Sequence, residues 1–191
     1  MNKKELMRVY DKIAEEYGLY RRRVWEPLKK FLKNKKGPIL DLGCGECPLT
    51  RDYPSKFIGL DFSLELLKRA NCKDRICADI EYLPIRDNSF KYITSIATIH
   101  HFDNEKSRLN FLKEIKRILK PGGKALITAW TLPPKDATKI KGSDYFVKFG
   151  KYDRFYHIFT KKEFEKLLSK TNLVLEKYET EHRNHFFIIK K

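Results

Sequence analysis

Residues 37–50 of the chain read GPILDLGCGECPLT, and this stretch is compatible with two kinds of site. The segment PILDLG predicts a buried strand of a parallel sheet, because an apolar run without alternation is typical of strands covered on both faces. Cys44 and Cys47 have the Cys-x-x-Cys spacing of metal and redox sites. Gly43 and Gly45 instead allow a tight turn that brings backbone amides close to a ligand. The choice between these sites depends on residues further along the chain.

The segments after this stretch alternate between strand and helix patterns, as in a compact α/β domain. Apolar runs in KFIGLDFS, DRICADI, FKYITSIA and KALITAW predict four further strands. NLVLEKYET and HFFIIKK predict two more, joined near Arg183 and Asn184 by a turn so short that the pair must be antiparallel. We therefore predict an α/β fold with a seven-stranded, mostly parallel sheet, a final antiparallel strand and helices on both faces.

Helix signals recur between these strands. Apolar residues at helical spacing predict helices over residues 3–17, 24–32, 64–70, 104–119 and about 160–170. Ser63 and Asp103 are placed to cap two of them, and Thr160 with Glu163 forms a capping box for the last. The sequence Pro-Gly-Gly at residues 121–123 is expected to stop the helix that precedes it.

Two carboxylates fall at the ends of successive predicted strands. Asp61 ends the second strand, 20 residues after Asp41, and Asp79 ends the third. At these places a carboxylate can accept hydrogen bonds from ribose hydroxyls and from an adenine amino group. Pro48 stands where a dinucleotide-binding motif has its third glycine, which favours a nucleoside without phosphates. The glycines therefore explain the opening stretch better than the sulfurs do.

The four cysteines leave three alternatives open. Cys44, Cys47, Cys72 and Cys77 could together ligate zinc, since a four-cysteine site is chemically sensible. A disulfide, for example between Cys72 and Cys77, is the second alternative. Free thiols are the third and favoured one, because Cys44 and Cys47 lie in the predicted ligand turn and Cys77 lies in a strand. No metal site is predicted.

Size and charge limit the classes of function. A chain of 191 residues fits a single domain over 1–191, with a basic N-terminal helical segment at 1–36 and a basic, aromatic insertion at 131–159. The net charge of +16 indicates a polyanionic partner, nucleic acid before an anionic membrane surface, although a merely soluble basic surface is the alternative. No apolar run approaches the ~20 residues of a membrane span. The absence of a signal core leads us to expect a cytoplasmic protein.

The motifs at the strand ends resemble those of a known family. ILDLGCG, FIGLDFS, CADIEYLPIRDNSF and RILKPGGKALI are similar to successive motifs of the class I S-adenosylmethionine-dependent methyltransferases, over roughly residues 37–130. The resemblance implies a Rossmann-like fold with S-adenosyl-L-methionine as cofactor. It also implies that a group of residues binds the cofactor: Asp41, Gly43, Cys44, Gly45, Asp61, Phe62, Asp79, Ile80 and Ile96. Cys47 departs from the family, which often has glycine at this position.

A narrower resemblance covers nearly the whole chain. VYDKIAEEYGLYRRRVWEP, SIATIHHF, DRFYHIFTKKEFEKLL and HRNHFFIIK are similar to the tRNA wobble-uridine carboxymethyl methyltransferases, which esterify 5-carboxymethyluridine in the anticodon loop. By this resemblance tRNA is the substrate, and Arg21, His101, Tyr156 and Arg183 lie on the substrate side as catalytic candidates. A small-molecule methyltransferase of the same fold and a non-catalytic RNA-binding module are the alternatives.

The resemblance also implies a protein partner. Enzymes of this family work with a small zinc-binding activator protein. DRICADI is expected to be an edge strand, and the unpaired edge of a sheet can accept a strand from another chain. We therefore expect a heterodimer formed by strand addition near residues 75–79, from Arg75 to Asp79.

Overall fold

The computed structural model describes residues 1–17, 25–51, 53 and 57–191, and it contains two β-sheets. The larger sheet has seven strands: β1 (Ile39–Leu42), β2 (Phe57–Asp61), β3 (Asp74–Cys77), β4 (Phe90–Ser95), β5 (Leu119–Trp130), β9 (Val174–Glu181) and β10 (Asn184–Lys190). The smaller sheet consists of β6 (Thr138–Lys141), β7 (Asp144–Phe149) and β8 (Tyr152–His157). The five α-helices of the described ranges are α1 (Lys3–Tyr17), α2 (Glu26–Leu32), α3 (Leu64–Lys68), α4 (Glu105–Ile118) and α5 (Lys161–Ser169).

The large sheet has the predicted architecture. Its strand order is β3-β2-β1-β4-β5-β10-β9, and the neighbours from β3 to β5 are all parallel. β10 runs antiparallel to β5 and to β9, so the last strand of the chain is inserted between its two partners. The predicted mostly parallel sheet with a final antiparallel strand is confirmed, and β3 is confirmed as an edge strand.

Alternating residues of the strands pack on opposite faces of the sheet, as the pleat requires. Leu40 and Phe187 belong to a core with the apolar sides of α4 and α5, whereas Ile39 and Phe186 pack against α2. Helices therefore cover both faces, as predicted. In the described ranges no helix combines the length and the apolar composition that a membrane span requires.

The helix ends follow the predicted capping residues in two of three cases. Ser63 accepts a hydrogen bond from Leu66 N, and Thr160 accepts one from Glu163 N. The cap of α4 is Asn104 and not Asp103, because the Asn104 side chain reaches Ser107 N. The helix stops before Pro-Gly-Gly, as expected: α4 ends at Ile118 with Leu119 as its C-cap, and residues 121–123 already lie in β5.

The insertion at residues 131–159 folds into the small antiparallel sheet. β7 pairs with both β6 and β8, and Tyr145 lies opposite Tyr156. Arg154 and Tyr156, two positions apart on β8, are buried, while the neighbouring Asp153 is exposed. This sheet contacts α1 and the 3₁₀ turn at Ile99–His101, so it lies against the end of the large sheet where β4 stops.

Candidate functional site

The glycine turn after β1 is tightly folded. Gly43 has φ +71° and Gly45 has φ +55°, both in the left-handed region that glycine tolerates. Gly43 N donates to Leu60 O at 2.7 Å, which fixes the turn against β2. A Cβ on Gly43 would lie 2.6 Å from Thr98 Cγ2, so the turn has no room for a side chain there.

Asp61 connects this turn to the start of α3. Its Oδ2 accepts a hydrogen bond from Gly45 N at 2.8 Å, and its Oδ1 accepts one from Ser63 N at 2.9 Å. The residue is 5% exposed, and its side chain lies on the wall of a cavity. Asp61 therefore shapes the glycine turn as well as presenting a carboxylate to a ligand, a second role that the sequence motif alone did not predict.

The cavity lies at the carboxyl ends of the strands, where ligands bind in open α/β sheets. The helix α1 forms one wall of it through Leu6, Tyr10 and Tyr17. The cavity brings together seven of the predicted site residues: Gly43, Gly45, Asp61, Phe62, Asp79, Ile80 and His101. Two loop residues that sequence reasoning missed, Ala97 and Thr98, also line it.

Asp79 is engaged by the first turn of α1. Lys3 Nζ forms ion pairs with Asp79 and with Glu81, the second at 2.9 Å. Although partial burial acts to lower the pKa of Lys3, the hydrogen bonds to these two carboxylates raise it overall. Lys3 thus neutralises the carboxylate that the sequence assigned to a ligand amino group.

Cys47 occupies the position where glycine was expected and adopts a glycine-like backbone, with φ +53°. Its sulfur is bonded to Cys72. The expectation of free thiols is therefore wrong for these two cysteines, and the suggested Cys72–Cys77 pair does not form. The turn after β1 and the loop before β3 are adjacent in space although 25 residues separate the two cysteines. Cys77 keeps a free thiol.

The remaining predicted site residues lie outside the described cavity wall. Asp41 is buried and accepts from Thr94 Oγ1 at 2.8 Å, while Cys44 donates to Gly45 O at 3.4 Å. Ile96 packs in the core beside α2. These three residues support the turn from behind. Arg21 and the neighbouring Arg22 and Arg23 fall outside the described residues.

The substrate-side candidates fall into two groups. His101 and Tyr156 are in edge-to-face contact, with ring centroids 4.6 Å apart, and Tyr156 also stacks on His100 at 4.4 Å. Arg183 lies apart from them in the β9–β10 turn, exposed, and donates to Pro133 O. His182 and Arg183 both have positive φ, which is the geometry that a two-residue hairpin turn requires.

His101 is held in a defined orientation. Its Nδ1 lies 2.9 Å from Phe155 O, and a carbonyl oxygen can only accept, so Nδ1 carries a proton. In the neutral ring Nε2 is then an acceptor, and it receives the hydroxyl proton of Tyr10 at 2.7 Å. His101 and Tyr10 form one hydrogen-bonded pair on the cavity wall.

Comparison with known proteins agrees with this geometry. Residues 40–127 match the family model described as a methyltransferase domain. The chain is 32% identical to a tRNA (carboxymethyluridine(34)-5-O)-methyltransferase of Schizosaccharomyces pombe, and the match covers 84% of each chain. The chain belongs to this family of class I S-adenosylmethionine-dependent methyltransferases.

Solved structures show the same fold. A protein from Pyrococcus horikoshii matches with a TM-score of 0.72 and 23% identity, over 86% of each chain. A structure from Haloferax volcanii, described as a complex of the Trm112 methyltransferase activator with a methyltransferase, matches with a TM-score of 0.70 and 16% identity, over 97% of this chain and 96% of that one.

The cavity of this methyltransferase fits S-adenosyl-L-methionine, its cofactor. Gly43 and Gly45 present backbone without side chains at the cavity wall, and Asp61 and Asp79 present carboxylates at successive strand ends. We propose that Asp61 accepts from the ribose hydroxyls, that Asp79 and Ile80 contact the adenine edge, and that the turn formed by Gly43 and Gly45 holds the methionine end.

Replacement of Lys3 tests the assignment of Asp79 in this methyltransferase. In Lys3→Gln the adenine amino group no longer competes with an ammonium group for Asp79, so S-adenosylhomocysteine is expected to bind about 3-fold more tightly, the size of one exposed ion pair. Isothermal titration calorimetry measures the change, with the exposed Lys4→Gln as the control. Weaker binding in Lys3→Gln would instead mean that the Lys3 ion pairs hold α1 over the cofactor.

Arg154, in the insertion at residues 131–159, is buried next to residues that line the cavity of this methyltransferase. The basic and aromatic composition of the insertion is equally compatible with simple packing and with a surface that faces RNA. For Arg154 the structure shows packing, because the residue is only 6% exposed and its guanidinium lies 5.3 Å from the ring centroids of Phe149 and Tyr156. The sequence contains a signal for this burial: Arg154 lies two positions before Tyr156 on one strand, and residues i and i+2 share a face of a sheet.

His157, whose place in DRFYHIF makes it a further candidate hydrogen-bond donor to the substrate, is engaged elsewhere. Its Nδ1 lies 2.5 Å from Asp144 Oδ1, and its Nε2 lies 2.6 Å from Glu163 Oε1. Arg108 completes the group, 3.6 Å from Glu163. Glu163 thus bonds His157 rather than closing the capping box with Thr160. This network joins β8 to α4 and α5 and serves the structure of the small sheet.

The network predicts a pH-dependent stability. Burial acts to raise the pKa of Glu163, but the bonds from His157 and Arg108 lower it overall. A lowered carboxyl pKa contributes stability that is present above the unfolded value and lost as the pH falls through the folded one. Glu163→Gln is therefore expected to lower the free energy of unfolding by about 1–2 kcal/mol at pH 7, and by much less below about pH 4.

Urea unfolding at several pH values measures this difference. Glu165→Gln on the same helix is the matched control, because its pair with Lys161 is exposed and such pairs contribute at most ~1 kcal/mol. A Glu163→Gln effect that does not change with pH would contradict the prediction.

Proposed function

We propose that this methyltransferase acts on tRNA and esterifies the carboxylate of a carboxymethylated wobble uridine. The observation that carries the proposal is the match to the Schizosaccharomyces pombe enzyme, which covers 84% of this chain and so extends well beyond residues 40–127 of the methyltransferase domain. The segments outside that domain include the small sheet and the helix α1, which form the walls around His101.

Methyl transfer to a carboxylate requires no acid–base catalysis by the protein. When bound, S-adenosyl-L-methionine supplies an electrophilic methyl group. A carboxylate acceptor is already ionised at neutral pH, since comparable side-chain acids have pKa values of ~4, so no general base is needed. The chain's own task is to bind the acceptor, align it with the methyl group and exclude water.

Four residues are proposed for the acceptor side: Arg21, His101, Tyr156 and Arg183. His101 and Tyr10 lie on the cavity wall and can orient an acceptor by hydrogen bonds. Tyr156 packs behind His101 together with Trp130, which fixes the imidazole in place. Arg183 and Arg21 are proposed to contact the anticodon loop outside the cavity.

The basic surface is proposed to bind the tRNA backbone. Lys139, Lys141 and Lys148 are exposed on the small sheet next to the site, and the whole chain carries a net charge of +16. Phosphate contacts of this kind release counterions, so tRNA affinity is expected to fall steeply with salt. A tRNA substrate also accords with a cytoplasmic location.

The free edge of β3 is proposed to bind a small zinc-binding activator protein. Among the described strands β3 pairs with β2 alone, and Asp74, Arg75 and Cys77 are exposed along it. The Haloferax volcanii methyltransferase of similar fold is described in complex with the Trm112 activator. Strand addition at residues 75–79 would extend the sheet by main-chain hydrogen bonds.

Methyl transfer to defined tRNA tests the proposed function. The protein, with and without the activator, is incubated with labelled S-adenosyl-L-methionine and tRNA that bears or lacks the carboxymethyl group. Label that appears only in the carboxymethylated tRNA, as a base-labile ester, supports the proposal. Equal labelling of both tRNAs, or of neither when activator is present, contradicts it, and labelling of a small acid instead would indicate a small-molecule methyltransferase.

A further inference from the structure

Arg154 is a buried cation without a counter-charge in the described part of the chain. It forms no ion pair with a described carboxylate, and its Nε is buried with no hydrogen-bond partner among the described residues. Its surroundings are the rings of Tyr17, Phe149 and Tyr156, at 5.9, 5.3 and 5.3 Å from the guanidinium carbon. Removing a charge from water without such a partner is costly, so this arrangement calls for an explanation.

Arg108 is also buried, and it has the ion pairs and hydrogen bonds expected of an arginine with a structural role. Arg108 lies near the carboxylates of Glu163 and Asp144, and its Nε and Nη2 donate to Phe102 O at 3.1 and 3.0 Å. Arg154 has neutral aromatic side chains around it in the described part of the chain, those of Tyr17, Phe149 and Tyr156. Burial acts to lower the pKa of Arg154, but the oxygens of Tyr156, Tyr10 and Tyr17 raise it overall, so the guanidinium keeps its charge.

The guanidinium of Arg154 lies against residues that line the cavity. Tyr10, which accepts a hydrogen bond from Arg154, and Tyr17, on which Arg154 packs, both line the cavity, as does His101. Arg154 thus lies one side chain behind the cavity wall, and Tyr17, the residue between them, approaches Gly45 of the glycine turn, with its Cε1 4.0 Å from where a Cβ on Gly45 would lie. Through a wall of this kind a full charge acts on an anion at low effective dielectric.

We propose that Arg154 supplies the positive charge that selects a carboxylate at the methyl-transfer end of the cavity. Two carboxylates can occupy that end: the acceptor group of the tRNA and the methionine carboxylate of the cofactor. The first source rests on the proposed function, whereas the second rests only on the cofactor. In both cases Arg154 is a positioning residue, because it acts from behind Tyr10 and Tyr17.

Binding measurements on the wild-type protein form the first part of the test. The affinity for tRNA carrying the carboxymethyl acid is compared with that for tRNA carrying the neutral carboxamide. The affinity for S-adenosylhomocysteine is compared with that for its decarboxylated analogue. We expect the carboxylate to be favoured by about 10-fold or more in at least one of the two comparisons. A ratio below about 2 in both overturns the proposal, without any variant that has to fold.

Arg154→Met forms the second part, with the exposed Arg86→Met as the control for loss of one positive charge. In Arg154→Met the carboxylate preference is expected to fall to near 1, while binding of the neutral analogue stays within about 2-fold. Loss in the tRNA comparison identifies the acceptor as the source, and loss in the cofactor comparison identifies methionine. Unchanged preferences in folded Arg154→Met overturn the proposal.

Arg154→Lys distinguishes the effect of the positive charge from the effect of the side-chain shape. It also provides a measurement if Arg154→Met does not fold. A lysine keeps the positive charge but loses the planar guanidinium, so the preference for the carboxylate is expected to be retained at least in part. Complete loss of preference in a folded lysine variant would contradict selection by charge. If the protein fails to methylate carboxymethylated tRNA, the proposed function fails, and the cofactor comparison still decides the role of Arg154.

Discussion

Gly59→Ala is expected to destabilise the protein by about 3 kcal/mol, which corresponds to a fall in Tm of about 6–12 °C for a chain of this size. Gly59 lies in β2, opposite Asp41 of β1. An added Cβ would lie 2.7 Å from Cys72 Sγ and 2.8 Å from Cys44 Sγ, with Cys47 Sγ closer still. All three sulfurs are buried, and the disulfide that holds two of them cannot move aside as a flexible side chain would.

Gly142→Ala is the matched control for this prediction. Gly142 has φ +54° and no neighbour within 4 Å of an added Cβ, so its replacement introduces backbone strain without a clash. Its cost is expected to be about 1 kcal/mol. Calorimetric unfolding of both variants compares the two effects. If Gly59→Ala were no more destabilising than Gly142→Ala, the close packing of the sulfurs against β2 would be wrong.

The core of the fold could be predicted because its signals are local. PILDLG and KFIGLDFS are apolar runs that only a sheet covered on both faces accommodates, and the structure places them in the adjacent strands β1 and β2. Ser63 and Thr160 act as caps through residues three positions away. The error at the N-terminus of α4 has the same local origin, since Asp103 and Asn104 are both good caps and only the backbone decides between them.

Contacts between distant segments could not be predicted in this way. The bond between Cys47 and Cys72 depends on how the turn after β1 meets the loop before β3, and the spacing of the cysteines does not reveal it. The small sheet is not predictable from TKIK and DYFVKF, because they mix charged and apolar residues without a regular period. Without that sheet, the sequence leaves packing and RNA contact equally open for Arg154, and it suggests a donor to the substrate for His157.

Asp61→Asn is expected to weaken the binding of S-adenosylhomocysteine by about 100-fold. The variant loses the charge that strengthens hydrogen bonds from the ribose hydroxyls, a contribution of about 1.5–3 kcal/mol for each charged bond. It also replaces one carboxylate oxygen by an amide NH₂. Since Oδ2 accepts from Gly45 N and Oδ1 from Ser63 N, one of these buried N–H groups loses its acceptor and the glycine turn loosens.

The stabilisation of the protein by the ligand measures this loss. At a concentration 100 times the wild-type Kd, S-adenosylhomocysteine adds about 2.7 kcal/mol to the wild-type protein, but only ~0.4 kcal/mol to a variant whose Kd is 100-fold higher. Glu65→Gln is the control, because Glu65 is a half-exposed acid on α3, close in sequence to Asp61, and pairs only with Lys68 among the described residues. Wild-type stabilisation of Asp61→Asn would exclude Asp61 as the ribose acceptor and leave it only its structural bonds to Gly45 and Ser63. Both roles use the same two oxygens. A role in cofactor binding is distinguished from support of the turn when Asp61→Asn loses more ligand stabilisation than intrinsic stability.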